Sequence, residues 1–194
     1  MEAEHTNPQI AQPTVDYEAL LRIGGELLVA LGVNPHEQGV VDTPRRFANM
    51  WREFIEYDPG VLDTTFTTFT AGDLVIVKGI RVWSVCEHHL LPFWCDVTIG
   101  YIPNGKVLGL SKFARICHHK AHKPQLQERL VTEIADEVSF IANTRSVAVI
   151  AQGEHLCMTM RGIKSPGLMV SSTMRGAFDT SSALQSRFLV LSTM

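Results

Sequence analysis

Residues 84 to 93, Ser-Val-Cys-Glu-His-His-Leu-Leu-Pro-Phe, place a thiol, a carboxylate and two imidazoles side by side ahead of an apolar run. Cys86 and His89 form a C-x-x-H step, which brings two ligands to one metal when the chain turns. Alone the step is weak evidence, because cysteine is often a small buried hydrophobe. A second cluster, Glu154-His-Leu-Cys-Met-Thr-Met-Arg-Gly162, sharpens the case. It reads as a strand, where side chains alternate faces. His155, Cys157, Thr159 and Arg161 are then expected on one side, with Leu156, Met158 and Met160 in the core on the other. A row of imidazole, thiol, hydroxyl and guanidinium is costly to bury without partners.

Zinc bound by Cys86, His89 and Cys157 would leave His88 and His155 as spare imidazoles and one coordination position for water. That is the arrangement of a catalytic zinc, which lowers the pKa of bound water to about 7. With His88 or His155 as a fourth ligand the site would be closed and structural. The plain alternative is unpaired Cys and His in a core or on a surface. Spacing alone leaves these open.

In Lys123-Pro-Gln-Leu-Gln-Glu-Arg-Leu130, Glu128 could accept both donors on the Watson–Crick edge of a guanine, aided by the Gln127 amide. The bland reading of Glu128 is a solvated acid favoured near a helix N-terminus. Arg45 and Arg46, Lys112 and Arg115 behind Ser111, and Arg161 are suited to phosphate oxygens. Singly, each is ordinary surface charge, except Arg161, which lines up with His155 and Cys157. Cys95 and Cys117 read as packing residues.

Positioning these groups requires a mixed architecture. Leu20, Ile23, Leu27, Leu28 and Leu31 recur at helical spacing despite Gly24 and Gly25. A second helix follows, with Thr43 as cap, Pro44 in its first turn and an apolar face of Phe47, Met50, Trp51, Phe54 and Ile55. Residues 58–70 read as loop. Two β-branched stretches around 73–101 read as strands, and Asn104-Gly105 is a strong turn signal. Ser111 reads as the cap of a short helix to about His118. A longer helix opens at Pro124, with Leu126, Leu130, Ile134, Val138 and Ile141 as a buried stripe. Further strands and a closing helix complete an α+β chain with antiparallel strand pairs.

Composition bounds the function. Hydrophobic residues make up 45% and charged residues 19%, as in a globular protein. A net charge of −3 argues against a nucleic-acid-binding field. No apolar run reaches the roughly 18–20 residues needed to span a bilayer, so no membrane partner is expected. The first 14 residues read as a mobile polar tail without signal-peptide character, and the four cysteines as thiols or ligands in a cytoplasmic protein.

Cys-Glu-His-His-Leu-Leu-Pro-Phe, Gly100–Ile116, Pro124–Leu130 and His155–Gly162, in this order, closely resemble GTP cyclohydrolase I of the zinc-dependent type. Asp42–Met50 and Ser172–Phe178 support the likeness. The resemblance implies zinc on Cys86, His89 and Cys157, acid–base work at the purine by His88 and His155, and a guanine grip by Glu128. It implies ribose and triphosphate contacts from Ser111, Lys112, Arg115 and Arg161, and from Arg46 reaching across from a neighbouring subunit. The implied fold is the tunnelling fold (residues 64–194, after a helical part, 15–57, of one domain). The implied assembly is a decamer of two pentamers with shared sites. GTP would be opened and C8 lost as formate, giving 7,8-dihydroneopterin triphosphate. Trp94-Cys95, the segment after Gly162 and His122-Lys123 depart from the family pattern.

Overall fold

The computed structural model describes residues 13–67 and 73–194. The tail expected over 1–14 falls outside these residues except for its last two. Two compact units emerge, one ending at Asp58 and one running from Pro59 to Met194.

In the first unit, α1 (Tyr17–Ala30) starts at Asp16, whose carboxylate accepts from Ala19 N at 2.9 Å. It packs on α2 (Thr43–Ile55). Gly24 is needed for that approach: a Cβ there would meet Pro44 Cα at 3.0 Å and the Phe47 ring at 3.2 Å. Thr43 is not the cap, as the sequence suggested. Asp42 occupies that position, and its carboxylate accepts from Arg45 at 3.0 Å instead of from the helix backbone. Of the expected α1 stripe only Leu28 is buried within this chain, and Ile23, Leu27 and Leu31 are exposed.

The second unit opens with β1 (Thr65–Thr67), a short strand inside the stretch read as loop, whose residues 68–70 lie outside the described ones. Then come β2 (Val75–Cys86), β3 (Pro92–Tyr101) and β4 (Lys106–Leu108). The turn at Asn104-Gly105 forms, with Gly105 at φ 73°, but β4 pairs with β1 and not back onto β3. Next are α3 (Leu110–Ala121), β5 (Pro124–Gln125), α4 (Gln127–Ile141), β6 (Val147–His155) and α5 (Leu156–Thr159). The chain closes with β7 (Met169–Met174), α6 (Ala177–Thr180) and α7 (Ser182–Thr193).

The main sheet has the order β5-β2-β3-β6-β7, antiparallel except for the two-residue β5. Period-2 alternation turns Phe93, Cys95, Val97, Ile99 and Tyr101 inward, all 1% exposed or less. They meet Phe113, Ile116 and Cys117 of α3 and Leu130, Ile134 and Val138 of α4 in one core. Full burial contributes about 1.5–3 kcal/mol for each large apolar side chain, which fixes the register of both helices on the sheet. A strand pair, a helix pair and a second strand pair, with the helices on one face, make this the α+β tunnelling-fold unit.

Three local expectations are corrected. Residues 154–162 are not a continuous strand. β6 pairs with β3 as far as Phe93↔His155, and β3 begins at Pro92, so the chain beyond has almost no partner left. It winds instead into α5, with Met160 N bonded to Leu156 O at 3.0 Å. Met160 is therefore 58% exposed and Met158 only half-buried, so neither is core. The helix expected from Pro124 starts at Gln127, because Pro124 and Gln125 extend the sheet beside Val85 and Cys86. Ser111 is not a cap either: α3 starts at Leu110 behind Gly109 and runs past His118.

Candidate metal centre

β2 ends at Cys86 and the chain reverses at once. Cys86 N donates to Leu91 O at 2.9 Å and Leu90 N to Cys86 O at 2.8 Å, with Leu90 held at φ 51°. This tight turn carries His89 back toward the sulfur, and Cys86 Sγ lies 4.0 Å from His89 Nδ1. The helical turn of α5 supplies Cys157. One donor atom from each of Cys86, His89 and Cys157 falls within 4.8 Å of the others. Among the described residues neither His88 nor His155 joins that trio, although His88 Nδ1 is 3.9 Å from Cys86 Sγ.

The donor set suits zinc. Zn–S bonds of about 2.3 Å and Zn–N bonds of about 2.0–2.1 Å put tetrahedral ligands about 3.5–3.8 Å apart, a small contraction from what is seen. Burial and the neighbouring Cys86 sulfur push the Cys157 thiol up. Two sulfurs sharing one place resist joint ionisation, and a divalent cation between them reverses that cost.

Behind the trio, His155 closes β6. Its ring stacks on Phe93 with centroids 4.4 Å apart and planes 6° from parallel. Burial lowers its pKa, opposed by the charge of Glu128. Its Nε2 lies 3.0 Å from Gln127 Oε1. Gln127 itself has no exposed surface, and its amide nitrogen faces Ala151 O, Met169 O and Ser171 Oγ. The expected contact of Gln127 with a purine is corrected: both ends of the carboxamide are spent inside the protein. Glu128, the next residue, is exposed at the start of α4.

The family model described as GTP cyclohydrolase I matches residues 23–193. The chain belongs to the GTP cyclohydrolase I family. GTP cyclohydrolase 1 of Dehalococcoides mccartyi is 42% identical over 182 residues, covering 91% of this chain and 96% of the relative. That of Carboxydothermus hydrogenoformans is 44% identical over 170 residues, covering 85% and 88%. A solved structure, the archaeosine synthase QueF-Like in its apo form, has a TM-score of 0.42 and 22% identity, covering 54% of this chain and 96% of its own. Membership makes the chain an enzyme, and GTP is the substrate the family implies. No described helix is long and apolar enough to cross a membrane.

The other residues matched to the GTP cyclohydrolase I pattern fall into separate places. Arg161 joins the trio, with NH1 3.2 Å from His89 Nε2. Lys112 and Arg115, one turn apart on α3 beside exposed Ser111, donate to Val61 O at 2.7 Å and Pro59 O at 2.6 Å. Arg46 lies in the first unit, exposed and 3.9 Å from Asp42. The departure at Trp94-Cys95 is absorbed by alternation: Cys95 points into the core, while Trp94 turns out under Arg81, 3.9 Å from its ring centre. Sequence reasoning missed two contributors. Phe93 stacks on His155, and the Glu87–Arg129 ion pair bridges the metal turn and α4. The position of Phe93, four residues after His89 at the end of the same motif, was the signal for the first; no local signal marked the second.

Proposed function

We propose that the chain hydrolyses the imidazole ring of the guanine in GTP, releases C8 as formate and forms 7,8-dihydroneopterin triphosphate. The observation that carries this is the convergence of Cys86, His89 and Cys157 beside His155, whose ring is bonded to Gln127 at the start of α4, one residue before Glu128. Those three side chains would hold zinc, which when bound supplies a Lewis acid and activates water near neutral pH.

The chain's own residues do the rest. The Glu128 carboxylate accepts from guanine N1–H and N2–H, holding the purine edge-on. His155, with His88 on the metal turn, gives and takes protons at the ring nitrogens as the bonds to C8 break. Ser111, Lys112, Arg115 and Arg161 hold ribose and triphosphate, the first two cations exchanging the carbonyls of Val61 and Pro59 for phosphate oxygens. Arg46 reaches the phosphates of a neighbouring subunit in a decamer of two pentamers. This anchoring contributes orientation more than chemistry. The product feeds pterin, folate or deazaguanine synthesis in the cytoplasm.

The test is direct. Pure protein is incubated with GTP, with formate and a pterin-type absorbance followed before chelation, after it and after zinc is restored. Formate production that survives chelation unchanged removes the metal from the reading; none with zinc restored removes the reaction.

A further inference from the structure

Gln127 stands where α4 leaves the sheet, sealed from solvent. Its amide nitrogen is 3.0 Å from Ala151 O, 3.1 Å from Met169 O and 3.1 Å from Ser171 Oγ. Carbonyl oxygens only accept hydrogen bonds, so the end of the carboxamide facing Ala151 and Met169 is the NH2 group. Turning the group over would press its oxygen against two carbonyl oxygens in a buried place, a repulsive contact that the NH2 group avoids. The orientation of Oε1 toward His155 is thereby forced by β6 and β7, independently of His155 itself.

An amide oxygen also only accepts. At 3.0 Å from Oε1, His155 Nε2 must therefore donate, and in the neutral imidazole the proton on Nε2 leaves Nδ1 bare. A half-turn of the ring would keep the parallel stack on Phe93 but put Cε1 in place of Nε2, so the bond to Oε1 is what selects this ring orientation.

We infer that Gln127 is a positioning residue that fixes His155 as its Nε2–H tautomer and leaves Nδ1 as the nitrogen that exchanges a proton with the substrate. This rests on the reading of His155 as an acid–base group, and it takes Gln127 out of purine contact. Gln127 acts through His155 and is not a catalytic residue.

The tautomer is read by NMR on the zinc-loaded protein carrying isotope-labelled histidine, at a pH of about 8, where an ordinary histidine is neutral. His155 is identified by the signal lost in His155→Asn. A protonated Nε2 and a bare Nδ1 are expected, and the reverse pattern or a mixture overturns the inference. That readout owes nothing to turnover. Full activity in His155→Ala would sink the acid–base reading alone and leave the tautomer assignment standing.

A kinetic arm separates positioning from substrate contact. Gln127→Met keeps length and removes the acceptor, so kcat should fall by at least about tenfold while KM for GTP stays within about twofold. A raised KM with unchanged kcat would make Gln127 a substrate contact and overturn the inference. Ser171→Ala leaves the two carbonyls that orient the amide, and should keep both the tautomer and kcat. If Gln127→Met does not fold, the NMR pattern of the unaltered chain decides alone.

Discussion

Arg129 closes a two-point fork on Glu87, NH1 to Oε2 at 2.8 Å and NH2 to Oε1 at 3.1 Å. The pair joins the turn carrying Cys86 and His89 to the first turn of α4. Glu87 N also donates to Gln125 O at 3.2 Å, so a backbone bond to β5 and a side-chain fork to α4 hold the metal turn from both sides of Leu126. Arg129 holds the Glu87 carboxyl below its ordinary range. Exposed pairs contribute little to global stability, but a bidentate fork restricts geometry more than a single contact does. The fork therefore sets the spacing between the metal turn and Glu128.

Breaking the fork should loosen the turn without unfolding the protein. Arg129→Ala should lose zinc to a chelator several-fold faster than the unaltered chain, with a nearly unchanged urea midpoint. The double reversal Glu87→Arg with Arg129→Glu should recover part of the loss, since the same two charges again face each other. Equal metal-release rates in Arg129→Ala and the unaltered protein would show that the backbone bonds alone hold the turn.

Glu128→Ala should weaken GTP binding by about 1.5–3 kcal/mol, the size of a hydrogen bond to a charged group. Because the guanine edge presents donors that inosine triphosphate lacks at its second position, the penalty should be smaller for that analogue. Calorimetric titration on catalytically silent His155→Ala protein separates affinity from turnover. Unaltered GTP affinity in the double variant removes Glu128 from the purine.

His118 and His119 in the last turn of α3 and His122 at its C-cap crowd together, and His119 feels the charges of Lys120, Glu137 and Lys123. Burial lowers the pKa of all three from the usual 6.5. For a base with a lowered folded pKa, the unfolded chain takes up protons first as pH falls. Their contribution is therefore intact above the unfolded value and is lost progressively as pH drops from it to the lowered folded value. The urea midpoint should fall between about pH 7.5 and about pH 5.5, and the fall should shrink when all three are replaced by Gln. An equal fall in both proteins would place the pH dependence in other groups, such as the metal ligands common to both.

What the sequence carried, and what it did not, follows the range of each interaction. The stripe Leu130, Ile134, Val138 and the alternation Val97, Ile99, Tyr101 are local periodicities, and both elements formed where those periods required. Cys86 and His89 were legible as partners because three residues and a reversal suffice to join them. The wrong strand at 154–162 had a good alternating pattern. What ended it was the start of β3 at Pro92, a fact of pairing that lies far away in the chain. Gln127 read as an aid to Glu128 at the edge of a guanine, whereas the carbonyls of β6 and β7 hold its amide inside the protein. The Glu87–Arg129 fork spans 42 residues, a separation at which a charge pair leaves no trace in local pattern.

The backbone approach just before His155 gives a final test. Gly153 pairs with Cys95 across β3 and β6. A Cβ there would run into Trp94 O and lie 2.6 Å from Cys95 Cβ and 2.7 Å from Cys95 Cα. Backbone and a core thiol cannot step aside as a flexible side-chain end can, so β6 must lift away from β3 in Gly153→Ala. Overpacking of this kind costs about 1–3 kcal/mol, and more where backbone has to move. The displacement falls two residues before His155, so its stack on Phe93 and its bond to Gln127 should be disturbed as well. The variant should show both a lower urea midpoint and a kcat loss larger than its unfolded fraction explains. Gly153→Ala with unaltered stability would mean that β3 and β6 do not approach this closely. Lost stability with full specific activity would mean that His155 tolerates displacement, and that its placement by the end of β6 is not what turnover depends on.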